Sequence, residues 1–155
     1  MAQFKSYDDI GVSTEGHDAT IEIQRPPHNF FDYSLIQQIA DAMETIDEDN
    51  NLRCVVLCAQ GKSFCAGANF GSDGSSANRS QENNPTDKSS HLYVEAVRLF
   101  ATKTPIVGAI QGAAIGGGLG LSLVPDFRVA CPESRFAANF TRLGFHPGFG
   151  LTHTL

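Results

Sequence analysis

The 155 residues carry a formal net charge of −6 and a sequence pI of about 5.2, with 41% apolar and 18% charged side chains. That length suffices for one domain with a real core, and the acidic balance argues against nucleic acid as the main partner, since phosphate binding needs a basic surface. No run of about 18 apolar residues is present to span a membrane, and Met1 to Ile10 lacks a basic region followed by an apolar stretch, so a cytoplasmic location is expected.

Two strands are expected first, near Ile10 to Thr14 and Ala19 to Gln24. In the second, Ile21 and Ile23 alternate with Thr20, Glu22 and Gln24, the period of a half-buried strand. Arg25-Pro26-Pro27 ends it, because proline cannot donate to a ladder. A helix is expected from about Ser34 to Asp49. Ser34 and Gln37 have capping-box spacing, and Ile36, Ile39, Met43 and Ile46 share one face.

Cys54 to Cys58 reads as a buried strand. Residues 71 to 90 are rich in Gly, Ser, Asn and Asp, which predicts either a lid over a site or a disordered surface insertion. A second helix is expected from about Asp87 to Lys103, with Leu92, Ala96, Val97 and Phe100 inward, stopped by Pro105. Ile106 to Ile110 and Phe127 to Ala130 read as strands. Between them, Gly116-Gly117-Gly118 leads into a short buried helix over Leu119 to Val124. Strands and helices alternate, as in an α/β core. No closing helix is expected near His153-Thr154-Leu155, and the chain reads as a truncated one. The four cysteines, Cys54, Cys58, Cys65 and Cys131, form no C-x-x-C pair and are expected as free thiols.

Several glycine motifs fail when tested. Gly61-Lys62-Ser63 ends like a phosphate-binding loop, but the required first glycine is Val56. A dinucleotide fingerprint begun at Gly116 would need glycine where Leu121 stands. A nucleophile elbow around Ser122 would need glycine at Val124. The five histidines have no metal-ligand spacing, so no metal is expected. What remains is a pair of segments, one ending in Ala66-Gly67 and one holding Gly116 to Gly118, each following a strand. Glycine lets a ligand approach the main chain without meeting a Cβ. Two such segments from neighbouring strands could aim two N–H groups at one oxygen. Tight helix-on-sheet packing explains the triple glycine by itself equally well.

At this point a family resemblance enters. Gly61-Lys62-Ser63-Phe64-Cys65-Ala66-Gly67-Ala68-Asn69 resembles the G-K-x-F-x-A-G-A-D segment of the crotonase superfamily, the enoyl-CoA hydratases and isomerases. Gly112 to Gly118 is similar to its G-x-A-x-G-G-G segment, and Asp126 to Ala130, Phe136 to Gly144 and Pro147-Gly148 continue in register. The resemblance implies a crotonase-like spiral of ββα units over residues 1–155, without the family's C-terminal helices. It implies an acyl-CoA thioester as ligand, no cofactor beyond that coenzyme A, and homo-oligomers, trimers or hexamers.

Carried over residue by residue, the carbonyl-polarising amides fall on Ala68 and Gly117. His28, Phe30, Lys62, Ala66, Asn69, Phe70 and Phe140 fall around the substrate. The resemblance breaks at the two glutamates that hydratases use as acid and base. Their places hold Gly120 and Phe140, which transfer no proton. His146 is the candidate replacement base, against a structural role for the same side chain. Asp73, Glu82, Asp87 and Glu95 are further acidic candidates, and Asn139 and Thr141 could hydrogen-bond substrate. Three readings follow: an acyl-CoA enzyme with an atypical base, a non-catalytic acyl-CoA binder, and a structural fragment without ligand.

Overall fold

The computed structural model describes residues 2–69 and 92–155. Its elements, in chain order, are β1 (Ile10–Glu15), β2 (Asp18–Ile23), α1 (Tyr33–Asp47), β3 (Cys54–Ala59), α2 (Leu92–Leu99), β4 (Ile106–Ile110), β5 (Ala113–Ile115), α3 (Gly117–Leu123), β6 (Phe127–Ala130), β7 (Arg135–Ala137), a 3-10 turn (Phe140–Leu143) and α4 (Leu151–Thr154). β1 and β2 form an antiparallel hairpin around Gly16, and β3, β4 and β6 then add in parallel, giving the order β1-β2-β3-β4-β6. A second, smaller sheet pairs β5 with β7, extended by a parallel bridge from Cys65 to Ala114. The chain therefore winds as a spiral. After β3 it contributes Cys65 to the second sheet, after β4 it contributes β5, and after β6 it contributes β7. Parallel neighbours require such crossovers, and here helices supply most of them.

Burial explains the winding. β2 presents Ala19, Ile21 and Ile23 to the core, and β3 presents Val55 and Leu57 beside them. α1 covers them with Ile36, Ile39, Met43 and Ile46, the face expected from its 3.6-residue period. Its cap differs from the expectation at Ser34. Asp32 takes that place, its carboxylate accepting from Leu35 N at 3.0 Å, while Ser34 turns outward toward Asp9.

α2 departs further. The described helix is Leu92–Leu99, and residues 87–91 lie outside the described set, as does the expected lid over 71–90. Its inward residues are Glu95, Ala96 and Leu99, whereas Val97 is 66% and Phe100 43% exposed. The reason is electrostatic. Arg98 pairs with Asp41 and Glu44 of α1 at 2.7 Å and with Glu95, which orients the helix by its charges rather than by apolar pattern alone. The chain also closes on a four-residue helix, α4, where none was expected. Among the described residues no helix is long and apolar enough to cross a membrane.

Candidate functional site

The segment after β3 and the segment after β5 meet back to back. Cys65 N donates to Ala113 O and Ile115 N donates to Cys65 O, both at 3.0 Å, so the two loops share a short ladder. Beyond it the contact tightens until only glycine fits. A Cβ on Gly118 would lie 2.0 Å from Cys65 O. Gly67, at φ +86°, turns so that a Cβ there would lie 2.7 Å from Ile115 O and 3.9 Å from Gly117 N. Gly116 has φ +56° and ψ −120°, a conformation open to glycine alone. Packing and close backbone approach are thus both present in the triple glycine.

Two peptide planes in this junction have fixed orientations. The Gly67–Ala68 carbonyl accepts from Phe31 N at 3.1 Å, and the Gly116–Gly117 carbonyl accepts from Gly120 N at 3.2 Å. In a trans peptide the N–H points opposite to the C=O. Ala68 N–H therefore faces away from the Phe31 backbone, and Gly117 N–H faces away from the body of α3.

Phe31 was not singled out from sequence, yet it touches both sides. Its N–H holds Gly67, and a Cβ on Gly117 would fall 2.2 Å from its ring. The neighbouring His28 carbonyl accepts from Ala66 N at 2.9 Å, so the Ala66 amide is used structurally. Asn29, which sits in the His28-Asn29-Phe30 stretch that the resemblance places beside coenzyme A, is instead fully buried. Its φ of 50° is a clue visible in kind, since asparagine is one of the few side chains that tolerate this conformation after a Pro-Pro turn.

The other expected site residues are scattered around this junction. The Phe140 ring comes close to Gly116, 3.9 Å from where a Cβ would stand, with Asn139 Oδ1 at 3.0 Å. His28 is exposed and lies 5.1 Å from the Phe30 ring, centroid to centroid. Lys62 is exposed, and its backbone carbonyl presses on Gly112. Ala68 and Asn69 are half-buried, and Phe70 lies outside the described residues. His146 is exposed, with Nδ1 2.8 Å from Pro147 O, and no described contact joins it to Ala68 or Gly117.

Of the acidic candidates, Asp73, Glu82 and Asp87 lie outside the described residues. Glu95 is not free to swing over a ligand: it is buried at 6% exposure, held by Arg98 and by Tyr33 Oη at 3.4 Å. Cys65 offers no nucleophile, because burial pushes its thiol up to about 12.

Gly120 faces Phe149. A Cβ at position 120 would lie 2.6 Å from Phe149 Cβ and 2.8 Å from the ring. Phe149 is 2% exposed, has φ 55°, and packs edge-on against Phe31 and Phe100 at 5.6 and 6.5 Å. On its other side opens an apolar groove of about 560 Å3 between α2 and the C-terminal segment, lined by Tyr93, Val97, Phe100 and His153 among others.

This winding recurs in known proteins. A family model described as enoyl-CoA hydratase/isomerase matches residues 15–155. The chain belongs to the enoyl-CoA hydratase/isomerase family. It is 33% identical, over its whole length, to a probable enoyl-CoA hydratase of Mycobacterium tuberculosis, of which it spans 58%. It is 29% identical to a crotonyl-CoA hydratase of Syntrophomonas wolfei over 97% of this chain and 57% of that one. Among solved structures, a putative enoyl-CoA hydratase from Streptomyces coelicolor superposes with a TM-score of 0.84 at 25% identity, covering all of this chain and 57% of the other. An enoyl-CoA hydratase subunit from Geobacillus kaustophilus gives 0.82 at 29% identity, over 97% and 56%. This family member thus spans a little over half the length of the relatives it matches, and has the crotonase fold over that span.

Proposed function

We propose that the chain binds an acyl-CoA thioester and polarises its carbonyl between the Ala68 and Gly117 amides. The observation that carries this is the approach of the two loops, where a Cβ on Gly67 would stand 3.9 Å from Gly117 N. The fixed carbonyls of Gly67 and Gly116 support it, since each leaves its partner N–H directed out of the loop. Two amides of fixed direction act on a developing negative oxygen without reorganising, and losing one such donor typically costs about 3–4 kcal/mol of transition-state stabilisation. Phe140 and Phe31 keep the surroundings apolar, which strengthens both hydrogen bonds. Proton loss from the α-carbon, or addition of a nucleophile to a conjugated acyl group, then becomes easier. Homo-oligomerisation of the family type belongs to the same reading, supported by the exposed apolar side chains Phe127 and Val129.

A second reading, binding without turnover, rests on a specific observation. Phe149 fills the space in front of Gly120 and Phe140 stands at the other expected acid position, so neither presents a carboxylate. Titration calorimetry with an acyl-CoA and with its thioether analogue, in which CH2 replaces the carbonyl, tests the shared claim. The thioester is expected to bind at least about 10-fold tighter, each 1.4 kcal/mol being a factor of ten. Equal affinities would sink the carbonyl role. An enoyl-CoA turnover assay on the same sample then separates enzyme from binder.

A further inference from the structure

We propose that Asn29 is a positioning residue for the Ala68 amide, acting through the segment from His28 to Phe31. The proposal rests on the reading of that amide as a carbonyl donor. Asn29 is fully buried, and its side chain uses both kinds of hydrogen-bonding atom. Nδ2 donates to Gln60 O and to Ser63 O, each at 2.7 Å, and Oδ1 accepts from Arg25 N at 3.0 Å. The assignment of the amide is fixed by its partners, since two carbonyls face the nitrogen and one N–H faces the oxygen.

These bonds join two stretches of chain that the ligand site needs in register. One is the turn from Arg25 to Asn29, closed also by Asn29 N donating to Arg25 O at 2.9 Å. The other is the turn from Gln60 to Ser63, which opens the loop carrying Ala68. On either side of Asn29 the same two stretches are laced by backbone bonds, Ala66 N to His28 O and Phe31 N to Gly67 O. The last of these sets the Gly67–Ala68 plane. Were Asn29 to release Gln60 and Ser63, two half-buried carbonyls would lose the donor that ties their turn to the one before α1, which loosens the two turns from each other. The Gly67 carbonyl would lose its donor, and its peptide could rotate, carrying the Ala68 N–H off the ligand oxygen. Asn29 touches neither ligand nor reacting atoms in this scheme.

Two variants separate the side chain from the backbone. Asn29→Gly tolerates φ 50° and removes all three side-chain bonds. Asn29→Asp keeps the shape and sets an acceptor against two acceptors. Two measurements are made on folded material purified by gel filtration. The first is amide hydrogen exchange without ligand. In both variants the Phe31 and Ala66 amides are expected to exchange at least about 10-fold faster, while the β2–β3 ladder stays protected. The second is difference infrared spectroscopy of an enoyl-CoA labelled with 13C at the thioester carbonyl. The wild type is expected to lower the carbonyl stretch on binding, and the variants to lose at least about half of that shift, with affinity changed less than about 3-fold. Unchanged exchange at Phe31 and Ala66, or a full carbonyl shift in the variants, overturns the role of Asn29. A wild type that binds the thioester without any shift sinks the polarisation reading itself, whatever the variants do.

Discussion

Gly120 and Phe149 are matched in size, one absent side chain against one large ring. Any Cβ at position 120 would overlap Phe149, so Gly120→Glu forces a buried charge and a clash into one place. We expect Gly120→Glu to lower unfolding stability by at least about 2 kcal/mol. Phe149→Ala alone should cost about 3–5 kcal/mol as a cavity. The double variant should be more stable than the sum of the two by at least about 1 kcal/mol. Urea unfolding of all four proteins measures that coupling, and strict additivity would mean the ring does not fill the position. This pairing was not legible in the sequence. Nothing about Phe149 announces a buried phenylalanine at positive φ, and counting along the family resemblance points to Gly120 but not to the ring that faces it. The close approach of the segments at Gly67 and at Gly116 to Gly118 was legible, because glycines that follow strands let two backbones come together without a Cβ between them.

At the scale of elements, α1 was read closely from its period, and α2 was not. The difference is physical. α1 buries an apolar stripe, whereas α2 is oriented by Arg98, whose guanidinium reaches Asp41, Glu44 and Glu95 at once. β5 and β7 escaped because three residues carry no measurable periodicity. The start of α1 was misplaced because Asp32, also paired with Arg25 at 3.0 Å, is the better cap.

Asp32→Ala should therefore cost about 1–2 kcal/mol of stability, and Asp32→Asn, which can still cap, distinctly less. Thermal or urea unfolding checks both, and equal losses would deny the cap a role. The Arg98 cluster predicts a pH effect. Hydrogen bonding from Arg98 lowers the Glu44 carboxyl. For Asp41, burial acts to raise it, but hydrogen bonds from Lys5 and Arg98 outweigh that and hold it below its ordinary value. Depressed carboxylates add stability above their unfolded pKa, about 4, and lose it as pH falls through the lower folded values. Arg98→Met should flatten the acid limb of stability below about pH 4 while leaving its slope near neutrality alone. Parallel acid limbs in the two proteins would contradict this.

On the scale of the molecule, one side of the described fold is dry and the other is not. β1 and β6 are the edges of the larger sheet, and β6 is exposed along its whole length, with Phe127 at 66% and Val129 at 64%. An open edge with apolar side chains pairs readily with another chain. The 155-residue chain should therefore associate as its concentration rises through the micromolar range in sedimentation velocity. Phe127→Lys with Val129→Lys should reduce that association without lowering the melting temperature, since neither side chain contributes to the core. A monomer at every concentration would show the edge to be inert.

The smaller sheet has a consequence of a different sort. Phe31 holds Gly67 with its N–H and leans on Gly117 with its ring, so one residue at the entrance to α1 clasps both loops. Neither jaw can shift without dragging its opposite. The spacing of the two loops is thus tied to how the first helix and its preceding turn pack.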